Sequence, residues 1–271
     1  ASVDSVCWLG TDRLASSSKD GTVKLWSLDS KVAEILTHVR PVGAIAWSPD
    51  AEYLVAQAVV KGTRVWNAST GELVFEKAES PRVKGEWYAS VSWQPAGRRF
   101  AALSVGGGLA VYDIDTGAAV EEYQPKEGSS ITVVEWSGDG RSLFYGNSAA
   151  AVFRWDLETD THVRIPWQAE GLTSLTAGPV NCPLVSTSRG GLIQFWDPSA
   201  ELGSTLEDFV DGKQRRELRI AWHPSGQRIA IADRMSSKIK IWDTVGKELV
   251  SEFSTGAHFN ASIAWHPSGS R

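Results

Sequence analysis

Tryptophan constrains this chain more than any other residue, because its copies keep a regular step. One set, Trp8, Trp47, Trp93, Trp136, Trp222 and Trp265, closes short hydrophobic runs at spacings of 39, 46, 43, 86 and 43 residues. The 86 is two steps, and between them Leu172-Thr173-Ser174-Leu175-Thr176-Ala177 repeats the alternating run without its indole. A second set, Trp26, Trp66, Tyr112, Trp155, Trp196 and Trp242, follows at spacings of 40, 46, 43, 41 and 46 residues. A period of this length filled with short strands and turns marks a propeller blade. Helical repeats of similar length would place apolar residues three and four apart over ten or more positions, whereas here the runs alternate and break after four to six.

The second and sixth units are the clearest. Ala44-Ile45-Ala46-Trp47, Tyr53-Leu54-Val55-Ala56, Thr63-Arg64-Val65-Trp66 and Glu72-Leu73-Val74-Phe75 read as four strands. The sixth unit repeats the order as Ile220-Ala221-Trp222, Arg228-Ile229-Ala230-Ile231, Lys238 to Asp243 and Glu248-Leu249-Val250. Between the first two strands stand Ser48-Pro49-Asp50-Ala51 and His223-Pro224-Ser225-Gly226. Proline presets φ near −65° and Gly or Asp accepts a tight backbone, so these are hairpin turns. The reading is one all-β domain over 1–271, with four-stranded antiparallel blades at approximately 1–37, 38–78, 79–125, 126–168, 169–212 and 213–255. A partial unit, 256–271, holds one further strand and turn around Trp265. This predicts a seven-bladed propeller, possibly truncated, over a six-bladed one, in a fragment of a larger multidomain protein. Trp8, Trp47, Trp93, Trp136 and Trp222 are expected in the core.

Composition narrows the function classes. With 42% hydrophobic and 22% charged residues the chain can build a large core. A formal charge of −5 opposes broad phosphate neutralisation. Cys7 and Cys182 have neither zinc-site spacing nor the density of a disulfide scaffold, and read as packed thiols. No signal sequence or membrane span is visible, so an intracellular, cytoplasmic setting is expected over secretion.

At this point the residues resemble the WD-repeat family, whose blades end their third strand with Trp-Asp. Trp155-Asp156, Trp196-Asp197 and Trp242-Asp243 match outright; Tyr112-Asp113, Trp66-Asn67 and Trp26-Ser27 are near matches. Ser18-Lys19-Asp20-Gly21-Thr22-Val23-Lys24-Leu25-Trp26 is similar to the family's second turn and third strand in full. The chain departs from the pattern where the family's opening Gly-His pair is reduced to His38 and, loosely, His258, and the second-turn Asp to Asp20. The resemblance implies a hydrogen-bonded network of that Asp, the His, a Ser or Thr and the Trp, which most blades here lack.

Catalytic chemistry finds little support in the residues. The five histidines are not spaced as metal ligands, and His223 and His266 recur at one turn position, as a structural residue does. No nucleophile elbow or phosphate-binding loop occurs; Gly106-Gly107-Gly108 sits where a left-handed hairpin turn belongs. The aspartates after tryptophan are a blade apart and read as strand terminators. The expectation is therefore no enzyme, no cofactor and no metal.

Binding is the remaining class, because loops gathered on a propeller's faces carry its variable surface. The resemblance places the channel mouth at Trp87, Arg216 and Phe259, each six residues before its tryptophan or its equivalent, and at Lys19, Arg189 and Met235 before the second-turn Asp. Tyr88 stands beside Trp87, and Trp, Arg and Met are enriched at interfaces. The alternative for Trp87 is packing under the long loop Glu76 to Glu86. The first reading is a scaffold or recognition domain for a protein or peptide. A second is nucleic-acid contact through the basic loop Lys213–Arg219, with Arg215, Arg216 and Arg189, which the acidic Glu201, Glu207, Asp208 and Asp211 of the same loop oppose.

Overall fold

The computed structural model describes residues 3–29, 33–38, 41–58, 62–78, 89–125, 129–166, 171–179, 182–197, 204–206, 218–233, 237–256 and 262–269. These residues form six four-stranded antiparallel sheets, each strand pairing with the next in sequence. The sheets run over 3–37, 42–77, 91–123, 131–165, 172–206 and 218–254. The chain divides into two compact units, 1–136 and 137–271, and the division falls after the first strand of the fourth sheet, Ile131–Trp136.

The expectation of a seventh blade is overturned. Residues 262–266 hold no strand, and the described residues form six blades. The Trp265 indole does donate to the Ala221 carbonyl at 3.1 Å, and its ring meets His223 edge-on at 4.8 Å. That contact lays the segment against the sixth sheet without giving it a strand to pair with, and a strand is defined by its ladder of hydrogen bonds.

Turn chemistry repeats with the sheets. In the second sheet the Ser48 hydroxyl accepts the Tyr53 N–H at 2.8 Å, and Asp50 accepts the Glu52 N–H at 3.0 Å. Ser137 and Asp139 do the same for Ser142 and Arg141 at 2.9 and 3.1 Å. In the sixth sheet His223 Nδ1 accepts the Ser225 N–H at 3.0 Å, and His266 does likewise for Ser268 at 3.1 Å, so both histidines serve as turn acceptors. The left-handed position of these turns is Gly140 (φ 69°), Gly226 (φ 72°) and Gly269 (φ 71°), but Ala51 (φ 64°) in the second sheet. A Cβ there costs about 1–2 kcal/mol, which the greater chain entropy of glycine offsets in part. Ala51→Gly should therefore raise stability by about 0.5–1 kcal/mol, measured by denaturant unfolding; a variant less stable than the parent contradicts this account.

The core lies between consecutive sheets. In the first unit, Val23, Leu25 and Leu36 of the first sheet pack on Ile45, Leu54 and Trp66 of the second. Val55, Val65 and Phe75 of the second then pack on Phe100 and Tyr112 of the third. Phe75, Trp93, Phe100 and Tyr112 form a ring cluster with centroids 5.1–5.4 Å apart. In the second unit Ile193 and Phe195 pack on Ile229 and Trp242. First-strand indoles also stitch neighbours, Trp93 to the Ala46 carbonyl at 3.1 Å and Trp222 to Thr176 at 3.5 Å. Only Trp93 and Trp136 of the expected core set are buried; Trp8, Trp47 and Trp222 are half-buried. The third-strand set takes the deeper place, since Trp66, Tyr112, Trp155, Trp196 and Trp242 are 2–8% exposed, and Trp26, at 39%, is the exception.

Candidate functional site

The residues after each third strand show what the Trp-Asp dipeptide does. The Asp113 carboxylate accepts the N–H groups of Asp115 and Thr116, both at 3.1 Å. Asp156 accepts those of Glu158 and Thr159 at 3.2 and 3.1 Å, and Asp243 those of Val245 and Gly246 at 2.9 and 2.7 Å. Asn67 holds Ser69 and Thr70 in the same way. Hydrogen bonds to the ionised form draw Asp113 and Asp156 below the usual carboxylate range, with the Thr116 and Thr159 N–H groups the leading causes. These groups terminate strands and close turns, as Asx side chains do.

The network implied by the family resemblance is not assembled in the first repeat. Asp20 accepts the Thr22 N–H at 2.9 Å and its hydroxyl at 2.6 Å, while the Trp26 indole donates to Ser16 at 2.9 Å. The His38 N–H donates to the Gly21 carbonyl beside them at 2.7 Å, but its ring bonds to none of them. It is 2% exposed, meets Trp66 edge-on at 6.1 Å, and neither ring nitrogen has a hydrogen-bond partner. Burial, helped by the Arg64 charge and opposed by Glu76, lowers its pKa to about 4.

A polar cluster that sequence reasoning missed lies in the fourth sheet. His162 Nδ1 is 3.0 Å from the Tyr145 hydroxyl, its ring stacks on Trp155 at 5.0 Å, and the Trp155 indole donates to Asp160 at 2.9 Å. Burial lowers the His162 pKa against the pull of Asp160. The available signal was Trp155 with a histidine seven residues on, but only the register of Trp155 opposite His162 brings them together. A cavity of about 100 Å³ beside Asp139, Arg154, Phe144 and Cys182 is small against the 300–1,000 Å³ of ordinary ligand sites. Burial raises the Cys182 thiol, opposite to the depression that activates cysteine.

Of the residues expected at the channel mouth, Trp87, Tyr88, Arg216, Phe259 and Met235 lie outside the described residues. Lys19 and Arg189 lie within them and hold equivalent places. Each opens the turn between the second and third strands of its sheet, directly after Ser18 and Ser188, and each is exposed. The turns close alike, with Gly21 N–H on the Ser18 carbonyl and Gly191 N–H on that of Ser188, both at 3.1 Å. Of the basic loop, Lys213, Arg215 and Arg216 are outside the described residues; Arg219 is half-buried and donates to the Thr173 carbonyl at 3.2 Å.

Comparison with known proteins agrees with this geometry. Residues 1–27 match the family model "WD domain, G-beta repeat", and residues 45–139 match "Anaphase-promoting complex subunit 4 WD40 domain". The chain is similar to a WD repeat-containing protein 26 homolog of Arabidopsis thaliana, 22% identical over 94% of this chain and 43% of the relative. Among solved structures, the β-propeller domain of Myceliophteria thermophila Cps50 (Swd1) superposes with a TM-score of 0.81 at 18% identity, covering 98% of this chain and 90% of that one. These matches support a WD-repeat propeller family for the chain. A further similarity joins this WD-repeat chain to the "WD repeat and HMG-box DNA-binding protein 1" of Mus musculus, at 25% identity over 45% of the chain and 12% of that protein. The chain thus spans less than half the length of these two curated relatives.

Proposed function

We propose that this WD-repeat chain is a non-catalytic, intracellular platform that binds a protein or peptide partner through the turns between its second and third strands. The observation that carries the reading is the recurrence of an exposed cation at one repeat position, Lys19 in one sheet and Arg189 in another. Two cationic side chains occupy one repeat position and are exposed, while the serines beside them build the turn. The periodic aspartates and turn histidines are already engaged in turn hydrogen bonds, which favours recognition by exposed side chains over chemistry. The proposed mechanism is positional: rigid sheets hold the loops and the loops select the partner.

The test is quantitative co-purification from cells with Lys19→Glu and Arg189→Glu, read by mass spectrometry beside thermal melts. The expected result is a partner whose recovery falls about tenfold or more, within the roughly 1–4 kcal/mol of interface hot spots, at unchanged melting temperature. Capture should persist between low and physiological salt, where a phosphate-dominated contact would weaken steeply. Unchanged recovery of every partner from both variants would sink the proposal.

A further inference from the structure

We propose that His38 is a pH-sensitive latch on the turn that carries Lys19: the neutral imidazole keeps the turn closed, and a proton on the ring releases it. The turn, Ser18 to Gly21, joins the second and third strands of the first sheet. His38 directly follows the outer strand of that sheet, Ala33–Thr37, and its N–H donates to the Gly21 carbonyl at 2.7 Å. Its imidazole lies against the second sheet, edge-on to Trp66 at 6.1 Å. One residue thus ties the Lys19 turn to the packing between the two sheets. Because the ring is 2% exposed, an imidazolium reaches water only when the segment that carries it, and with it the N–H on Gly21, moves.

The site suits the ring only in its neutral form. Neither ring nitrogen has a hydrogen-bond partner, so an imidazolium there would hold two unsatisfied donors and a buried charge. Counted from the third-strand tryptophan, the second sheet has Ala56 and Val60 where the first has Ser16 and Asp20, and neither side chain can accept a hydrogen bond. Among the described residues, the charged groups that face the ring are Arg64 and Glu76 of the second sheet. Arg64 opposes the proton, and Glu76 is already engaged by Arg64 at 2.9 and 2.6 Å. Arg64 also donates to the carbonyl of Thr37, the residue before His38, at 3.1 Å.

The open latch binds more protons than the closed one, so opening gains as pH falls. With a closed value lowered to about 4 and the ordinary value near 6.5 regained in water, opening is about twentyfold more favourable at pH 5 than at pH 7. The Arg189 turn of the fifth sheet supplies the contrast. Its Gly191 N–H closes on the Ser188 carbonyl as Gly21 does on Ser18, but its Arg189 N–H donates to the Gly171 carbonyl at 2.8 Å. The chain after its outer strand continues with Glu207-Asp208 and holds no histidine there. Acid therefore acts on one of the two exposed cations and spares the other. That regulatory role rests on Lys19 being a binding residue; the latch itself does not.

The test is deuterium exchange of the full chain at pH 7 and pH 5, resolved to single residues by mass spectrometry and corrected for the intrinsic effect of pH. Turn amides exchange through local opening, below the free energy of global unfolding, so the two turns report separately. Protection of the His38 and Gly21 amides should fall about twentyfold at pH 5 while that of Gly191 holds. His38→Leu should remove the pH dependence at Gly21; the parent's own contrast between Gly21 and Gly191 serves where that variant does not fold. No fall at His38, an equal fall at Gly191, or a fall at Gly21 that persists in His38→Leu overturns the latch. Capture of a Lys19-dependent partner should weaken at pH 5 in the parent and not in His38→Leu, and equal capture by the parent at both pH values overturns the regulatory role. Were Lys19→Glu to lose no partner, the proposed function would fail and the exchange result would still decide the latch.

Discussion

Trp66→Ala is expected to destabilise the protein by about 3–5 kcal/mol, the range for removing a buried large aromatic and leaving a cavity. Trp66 is 4% exposed and fills the space where Ala15, Val23, Leu25 and Leu36 of the first sheet meet Leu54 and Ala56 of the second. None of these small or already packed neighbours can collapse into the space without moving its sheet. The contrast is Trp26→Ala at the equivalent repeat position, where a 39% exposed ring leaves no enclosed cavity and the cost should be roughly 1–2 kcal/mol. Denaturant unfolding of the two variants measures the difference. Equal losses would mean that burial does not distinguish the two rings.

The second large effect is a loss of stability in acid centred on His38. Its pKa in the folded protein is lowered to about 4, whereas in the unfolded chain it takes the ordinary value near 6.5. Between those values the unfolded chain binds more protons than the folded one, so stability rises with pH across that window. The contribution is fully present above about pH 6.5; it falls by about 2 kcal/mol at pH 5 and about 3 kcal/mol at pH 4. Arg64 and Glu76 face the imidazole with opposite signs, and Arg64 has the larger effect. His38→Leu removes the titration and replaces two unpartnered nitrogens with methyl groups, so its stability curve should be flatter by those amounts. Parent and variant curves that run parallel from pH 7 to 4 would show that His38 does not carry the acid sensitivity.

Much of this architecture was legible from particular residues. The alternation in Ile45, Trp47, Tyr53, Val55, Val65 and Phe75 already contained the four strands of the second sheet. The run Leu172–Ala177 was recognised as a first strand despite its missing indole, and it is one. The turn roles of His223 and His266 followed from their recurrence, and the Nδ1 contacts to Ser225 and Ser268 explain it. The half-burial of Trp8, Trp47 and Trp222 was not legible, because Trp93 and Trp136 hold the same place at the end of a first strand and are buried. The candidate site was legible only as positions. Lys19 and Arg189 were placed by the family resemblance, but that both are exposed is a property of the folded turn.

The sequence by itself determined the strands, their order and their turns, because those depend on alternation, φ preferences and side-chain acceptors within a few residues of one another. Tertiary structure alone decided which faces are covered. Trp66 is buried because the neighbouring sheet brings aliphatic side chains over it, whereas Trp26, at the equivalent repeat position, is 39% exposed. Tertiary structure also decided the number of blades. The period counts Trp265 as a seventh first-strand residue, but a strand exists only where a partner accepts its hydrogen bonds, and residues 262–266 pack against the sixth sheet without one.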